Sequence, residues 1–124
     1  MQLSAKAVVG YALQIEANGE VFYQEVAKNS VNREAKALFA DLAEQEVRHM
    51  RTFSRLLAQI PAGDDTTEDQ DGYREYLRHG LARAMVGGAD KGLALAREAR
   101  DEAQALEAAL AFEKDTLLFY TDVL

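Results

Sequence analysis

Two stretches of this chain, 97 residues apart, repeat each other in register. Ala12-Leu13-Gln14-Ile15-Glu16 returns as Ala109-Leu110-Ala111-Phe112-Glu113. Seven residues after each glutamate comes a tyrosine preceded by phenylalanine, Phe22-Tyr23 and Phe119-Tyr120, and Val26 matches Val123. Six identities at one offset are what two related helix pairs leave behind when they form a single bundle. The spacing of the apolar residues in both copies steps by three and four, the period of an amphipathic helix. A chain with this repeat is expected to be all-α.

The rest of the sequence supports that reading. Ser4 is a candidate N-cap for a helix ending near Lys28, with Val8, Ala12, Ile15, Gly19, Phe22, Tyr23 and Val26 on its apolar face. Asn29-Ser30-Val31-Asn32 is a short turn, and Asn32 is a cap for a second helix from about Arg33 to Gln59, stopped by Pro61. Leu38, Leu42, Phe53, Leu56 and Ile60 form its expected stripe. So short a turn makes the two helices antiparallel neighbours. A long crossover follows, from about residue 60 to 100, beginning with the polar, acidic Gly63-Asp64-Asp65-Thr66-Thr67-Glu68-Asp69. Within it Tyr73 to Met85 and Lys91 to Arg100 are expected to be short helices. Asp101-Glu102-Ala103-Gln104 has the pattern of a capping box opening a third long helix, over about 101–124. Its expected stripe is Ala103, Leu106, Leu110, Leu117, Tyr120 and Leu124. All 124 residues are expected to form one domain.

Four ionisable side chains interrupt these stripes. Glu16 falls between Ala12 and Gly19, Glu46 and His49 fall between Leu42 and Phe53, and Glu113 falls between Leu110 and Leu117. An isolated buried carboxylate costs several kcal/mol, comparable to the whole margin of a small domain. Several together also repel, and a divalent cation is the simplest compensation. Glu46-Val47-Arg48-His49 places a carboxylate and an imidazole three residues apart on one helical face. On its own that spacing more often marks a solvated face; its coincidence with the apolar stripe points instead to a metal site.

Composition narrows the function classes. The net charge of −7 argues against nucleic acid and anionic membrane surfaces as partners. The absence of cysteine excludes disulfides, thiolate catalysis, iron–sulfur clusters and cysteine-ligated zinc, and fits a reducing cytoplasm. The N-terminal residues lack a basic region followed by an apolar run, so no signal peptide is expected. No apolar stretch is long enough to span a membrane.

Glu16 with Tyr23 seven residues on, Glu46-x-x-His49 thirty residues after Glu16, and the tract Phe112-Glu113-Lys114-Asp115-Thr116-Leu117-Leu118-Phe119-Tyr120 together resemble the rubrerythrin branch of the ferritin-like superfamily. The resemblance implies an antiparallel four-helix bundle with a long crossover, of which three long helices stand in this sequence. It implies two iron ions, with manganese or zinc as substitutes. Glu16 and Glu113 would be terminal carboxylate ligands, Glu46 a bridging ligand and His49 a terminal nitrogen ligand. Tyr23 and Tyr120 would hydrogen-bond ligand carboxylates, or simply pack as core aromatics. The implied activity is that of an oxidoreductase of peroxidase or ferroxidase type, with electrons from a separate donor. Iron handling without turnover and a metal-free helical interaction module are the alternatives. The family's fourth helix carries a second Glu-x-x-His that this sequence does not contain. Either the sequence lacks its C-terminal helix or another subunit completes the site, and a homodimer or larger homo-oligomer is expected. Glu75 and His79, on the crossover, are a conceivable substitute.

Overall fold

A computed structural model describes residues 5–61 and 90–123. The described residues are helical, with no strand among them: α1 (Ala5–Asn29), α2 (Arg33–Gln59), α3 (Asp90–Glu98) and α4 (Glu102–Val123). The expected helix from Tyr73 to Met85, with Glu75 and His79, lies outside the described residues.

Local chemistry sets the helix ends. Backbone N–H groups of Glu34 and Ala35 donate to the Asn32 carboxamide oxygen at 2.9 and 3.1 Å, capping α2. The Asn32 backbone N–H in turn donates to Glu102 Oε1 at 3.1 Å, tying the α1–α2 turn to the start of α4. At the end of α1, Lys36 Nζ donates to the carbonyl of Ala27 at 2.9 Å, placing a cation where the helix dipole is negative. Ser30 Oγ satisfies the carbonyl of Val26 at 2.7 Å. At α4 the Gln104 N–H donates to Asp101 Oδ1, and Gln104 Oε1 accepts from the Arg100 N–H, both at 2.8 Å. The reciprocal bond thus reaches one residue before the cap. Asn32→Ala is expected to lower stability by about 1 kcal/mol, because two N–H groups lose their acceptor; a urea titration measures it.

The helices pack around α1. Its inward face holds Tyr11, Ala12, Ile15, Phe22, Tyr23, Val26 and Ala27. The Tyr23 ring sits at the centre, 6.3 Å from Phe39 of α2 and 6.4 Å, edge-on, from Phe112 of α4. Farther along, Phe53 of α2 meets Tyr120 of α4 at 5.9 Å.

The faces that α2 and α4 turn inward differ from the leucine stripes read in the sequence. On α2 the buried positions are Phe39, Ala43 and Glu46, while Leu38 and Leu56 are exposed. On α4 they are Ala105, Ala109, Phe112, Thr116 and Phe119, while Leu106, Leu110 and Leu117 are exposed. The physical reason is size. Alanines alternating with phenylalanines let the backbones come close and fill the gaps with rings, and a stripe of leucines would hold the helices apart. Both stripes on each helix have the same period, so periodicity does not choose between them.

The short helix α3 docks on α1 through an unusual contact. Gly92 is the third residue of α3, so its N–H has no partner within the helix. It donates to Oδ1 of the buried Asn18 at 2.8 Å. Asn18 Nδ2 bonds back to the carbonyl of Gln14 at 3.3 Å, which holds the amide in place. A residue of one helix therefore caps another. No helix among the described residues is long and apolar enough to cross a membrane.

Candidate metal centre

Two helices, α1 and α2, bring together one cluster of ionisable groups, and α4 sets a further carboxylate beside it. Glu16 on α1 and Glu46 on α2 are both buried, each about 4% exposed. His49, one turn after Glu46, has its Nδ1 3.3 Å from Glu16 Oε2 and 3.9 Å from Glu46 Oε2. One ligand atom from each of the three lies within 4.8 Å of the others. His49 is half exposed, so the cluster opens to solvent on the imidazole side. Glu46 Oε2 is buried and has no hydrogen-bond partner.

Glu113, on α4, is not part of that closest group, although it lies near enough for its charge to act on Glu16. Its Oε1 accepts a 2.7 Å hydrogen bond from the Tyr23 hydroxyl. The Tyr120 hydroxyl donates to Glu16 Oε1, also at 2.7 Å. The two bonds cross between the copies of the sequence repeat: the tyrosine of each copy serves the glutamate of the other. This pairing requires α1 and α4 to run antiparallel, so that Glu16 faces Tyr120 while Tyr23 faces Glu113. An approximate twofold relation between the two helices generates both bonds at once.

The electrostatics follow from burial. Desolvation pushes the Glu16 carboxyl above its usual range. The Tyr120 hydrogen bond and the neighbouring His49 offset part of this, and the charge of Glu113 adds to it. Burial also raises Tyr23, reinforced by its bond to Glu113, and raises Tyr120, reinforced by the charge of Glu16 and its bond to it. Both hydroxyls therefore stay protonated at neutral pH and act as donors. The sign for stability is clear. A carboxyl raised in the folded state stabilises fully below its unfolded value, near 4.5, and that contribution is lost as pH rises through the folded value. The urea midpoint of chelator-treated protein should carry a component that falls as pH rises above about 4.5 and is absent from Glu16→Gln. An equal pH slope in the two proteins would contradict this.

Gly19 shapes the same cluster. A Cβ there would stand 3.0 Å from two carbons of the Phe112 ring and 3.1 Å from Glu46 Cδ. The missing side chain lets the ring and the carboxylate close over α1, one turn beyond Glu16. The sequence showed Gly19 only as a small residue on an apolar face, and it marked neither Asn18 nor Gly92. The only signal for the last two was cost: a buried amide needs a partner, and glycine near a helix start needs a reason.

The helices bring two buried carboxylates and a half-exposed imidazole within reach of one ion, the kind of donor set found in helical bundles of ferritin-like type. The family model for rubrerythrin matches residues 7–115, and the chain belongs to that family. Comparison with curated proteins and with solved structures gives no match.

Proposed function

We propose that this chain is a di-iron carboxylate protein that binds iron between α1, α2 and α4 through Glu16, Glu46, His49 and Glu113, and that it reduces peroxide or oxidises ferrous iron. The observation that carries the reading is Glu46 Oε2, a buried carboxylate oxygen without a hydrogen bond, beside a second buried carboxylate and an imidazole nitrogen. Such an atom is costly in any metal-free account, and a cation in contact with all three groups removes the cost.

The donor set fits. Oxygen with imidazole nitrogen suits iron, and manganese or zinc would be accepted by the same atoms. Bound iron would supply electron-transfer chemistry toward oxygen or peroxide. The chain's own residues do the rest. Tyr120 and Tyr23 hold Glu16 and Glu113 through one oxygen each, which fixes the carboxylates and leaves the other oxygen free of the tyrosine. The half-exposed His49 marks the side from which a small oxidant reaches the cluster. With no cysteine in the sequence, electrons would come from a separate donor, and a reducing cytoplasm is the setting this composition fits.

Anaerobic titration with ferrous iron, elemental analysis and a peroxide-consumption assay with an added electron donor test the reading together. It expects about two irons per complete site, as in other bundle-core carboxylate centres, with turnover of peroxide or ferrous iron. Iron bound without either turnover would leave an iron-handling protein. Failure to bind iron, manganese or zinc would leave a metal-free helical module.

A further inference from the structure

Asn18 and Gly19 stand side by side in the middle of α1 for two unrelated reasons. Asn18, 1% exposed, supplies the acceptor for the Gly92 N–H at the start of α3. Gly19 leaves the room that the Phe112 ring and the Glu46 carboxyl fill. Together they make a pair prone to react with itself. The backbone nitrogen of the residue after an asparagine can attack the side-chain carbonyl carbon, and glycine offers that nitrogen with no Cβ to hinder it. The attack needs the Asn18 main chain to rotate out of its helical conformation, which swings the Asn18–Gly19 peptide unit. In the fold that unit is clamped on both sides. α3 lies against the Asn18 carbonyl, so close that a Cβ at Gly92 would stand 2.0 Å from its oxygen. Phe112 and Glu46 close over Gly19. The carboxamide is held as well, accepting from the Gly92 N–H and donating to the Gln14 carbonyl.

We propose that Asn18-Gly19 is a deamidation site that the docked α3 keeps shut, and that lifting of α3 opens it to irreversible modification. A nine-residue helix lifts locally at a lower cost than the whole fold unfolds. Leu95, which packs against both parts of the core, and the Gly92–Asn18 bond set that cost. Once α3 is off, the Gly19 nitrogen bonds to Asn18 Cγ, and the side-chain nitrogen leaves as ammonia, carrying the proton of the Gly19 N–H. Water then opens the cyclic imide. Opening at Cγ leaves aspartate, and opening at the main-chain carbonyl leaves isoaspartate. Only water is consumed, and nothing is oxidised or reduced. Aspartate puts a carboxylate where the native side chain is 1% exposed, and it cannot donate to Gln14. Isoaspartate adds a methylene to the main chain between Glu16 and Tyr23, which throws the crossed bonds to Tyr120 and Glu113 out of register. Chemical change of the opened form drains the folded population without return. The proposal does not depend on metal binding.

Peptide mapping by mass spectrometry, after incubation of the chain folded and in urea, tests it. Heavy-oxygen water marks each new carboxylate. Asn29-Ser30 is the internal reference, because Asn29 is exposed at the end of α1. In urea Asn18 should be modified faster than Asn29, since glycine hinders the attack less than serine. In the folded chain the order should reverse. Gly92→Ala and Leu95→Ala both loosen α3, and each should speed modification of folded Asn18 by about tenfold or more, with Asn29 unchanged. Leu95→Ala adds no clash, so it carries the test if Gly92→Ala does not fold. Asn32→Ala, which uncaps α2 instead, is the control. Brought to the same global stability with urea, it should speed Asn18 far less than the α3 variants do. Asn18 no faster than Asn29 in urea, or no slower in the folded chain, overturns the proposal. So does an Asn18 rate that follows global stability alone, equal in Asn32→Ala and the α3 variants, because unfolding of the whole chain would then be the only gate.

Discussion

Glu46→Gln is expected to stabilise the metal-free protein and to weaken its affinity for iron by about two orders of magnitude or more. The two effects have opposite sign because one atom causes both. Glu46 Oε2 is buried without a hydrogen bond, near Glu16 and His49. Without a cation, the charge on this carboxylate is a net cost, and glutamine removes it while keeping shape and volume. The gain should be on the order of 1–3 kcal/mol, the range for relieving an unsatisfied buried group. With iron, the same change deletes an anionic ligand. Loss of mere hydrogen-bonding support to a ligand already costs about 10–100-fold in metal affinity, so loss of the ligand should cost at least as much. Thermal melts with chelator and with ferrous iron, beside a direct binding titration, separate the terms. If Glu46→Gln binds iron like the wild type, the metal reading fails. If it is less stable than wild type under chelator, Glu46 is held by a structural interaction instead. Glutamine is preferable to alanine here, because the carboxyl group packs against Gly19 and a truncation would add a cavity effect.

Gly92→Ala should destabilise the fold by about 2–4 kcal/mol, although glycine to alanine within a helix ordinarily gains about 1 kcal/mol. A Cβ at Gly92 would stand 2.0 Å from the backbone oxygen of Asn18 and 2.9 Å from its carbonyl carbon. Neither atom can swing aside as a side-chain end can. α3 must move outward by roughly 1 Å or more to reach ordinary contact, and the bond from the Gly92 N–H to Asn18 Oδ1 is lost with it. Gly10→Ala is the matched control. It lies inside α1 with nothing within 4 Å of a built Cβ, and it should stabilise by about 0.5–1 kcal/mol. Urea denaturation of both variants decides the matter. A Gly92→Ala protein as stable as the wild type would mean that α3 is not latched to α1 in this way. Because Asn18 follows Glu16 by two residues, this latch also anchors the stretch of α1 that carries Glu16.

Helix positions were legible because their signals are local. Asn32 and Pro61 bound α2, Asp101 with Gln104 opens α4, and apolar residues recur at the helical period in between. Glu16, Glu46, His49 and Glu113 stood out for a similar reason, as charges where that period calls for apolar residues. The faces of α2 and α4 were not legible. Leu106, Leu110 and Leu117 satisfy the period as well as Ala105, Ala109, Phe112 and Phe119 do. Only the neighbouring helix selects between them, through how closely two backbones can approach. Reading the larger side chains as the core placed Leu110 and Leu117 inside, where the structure holds alanine and phenylalanine.

By itself the sequence determined that this chain is helical, that its first and last long helices are copies of one pattern, and that each copy carries one glutamate and one tyrosine seven residues on. Those are properties of spacing along a single strand. Tertiary structure alone decided that each tyrosine serves the glutamate of the other copy, that Asn18 caps α3, and that Glu46 Oε2 is left without a hydrogen bond. Each of these depends on where a second helix lies and which way it runs. Antiparallel packing of α1 on α4 turns a repeat in one dimension into a crossed pair of hydrogen bonds in three.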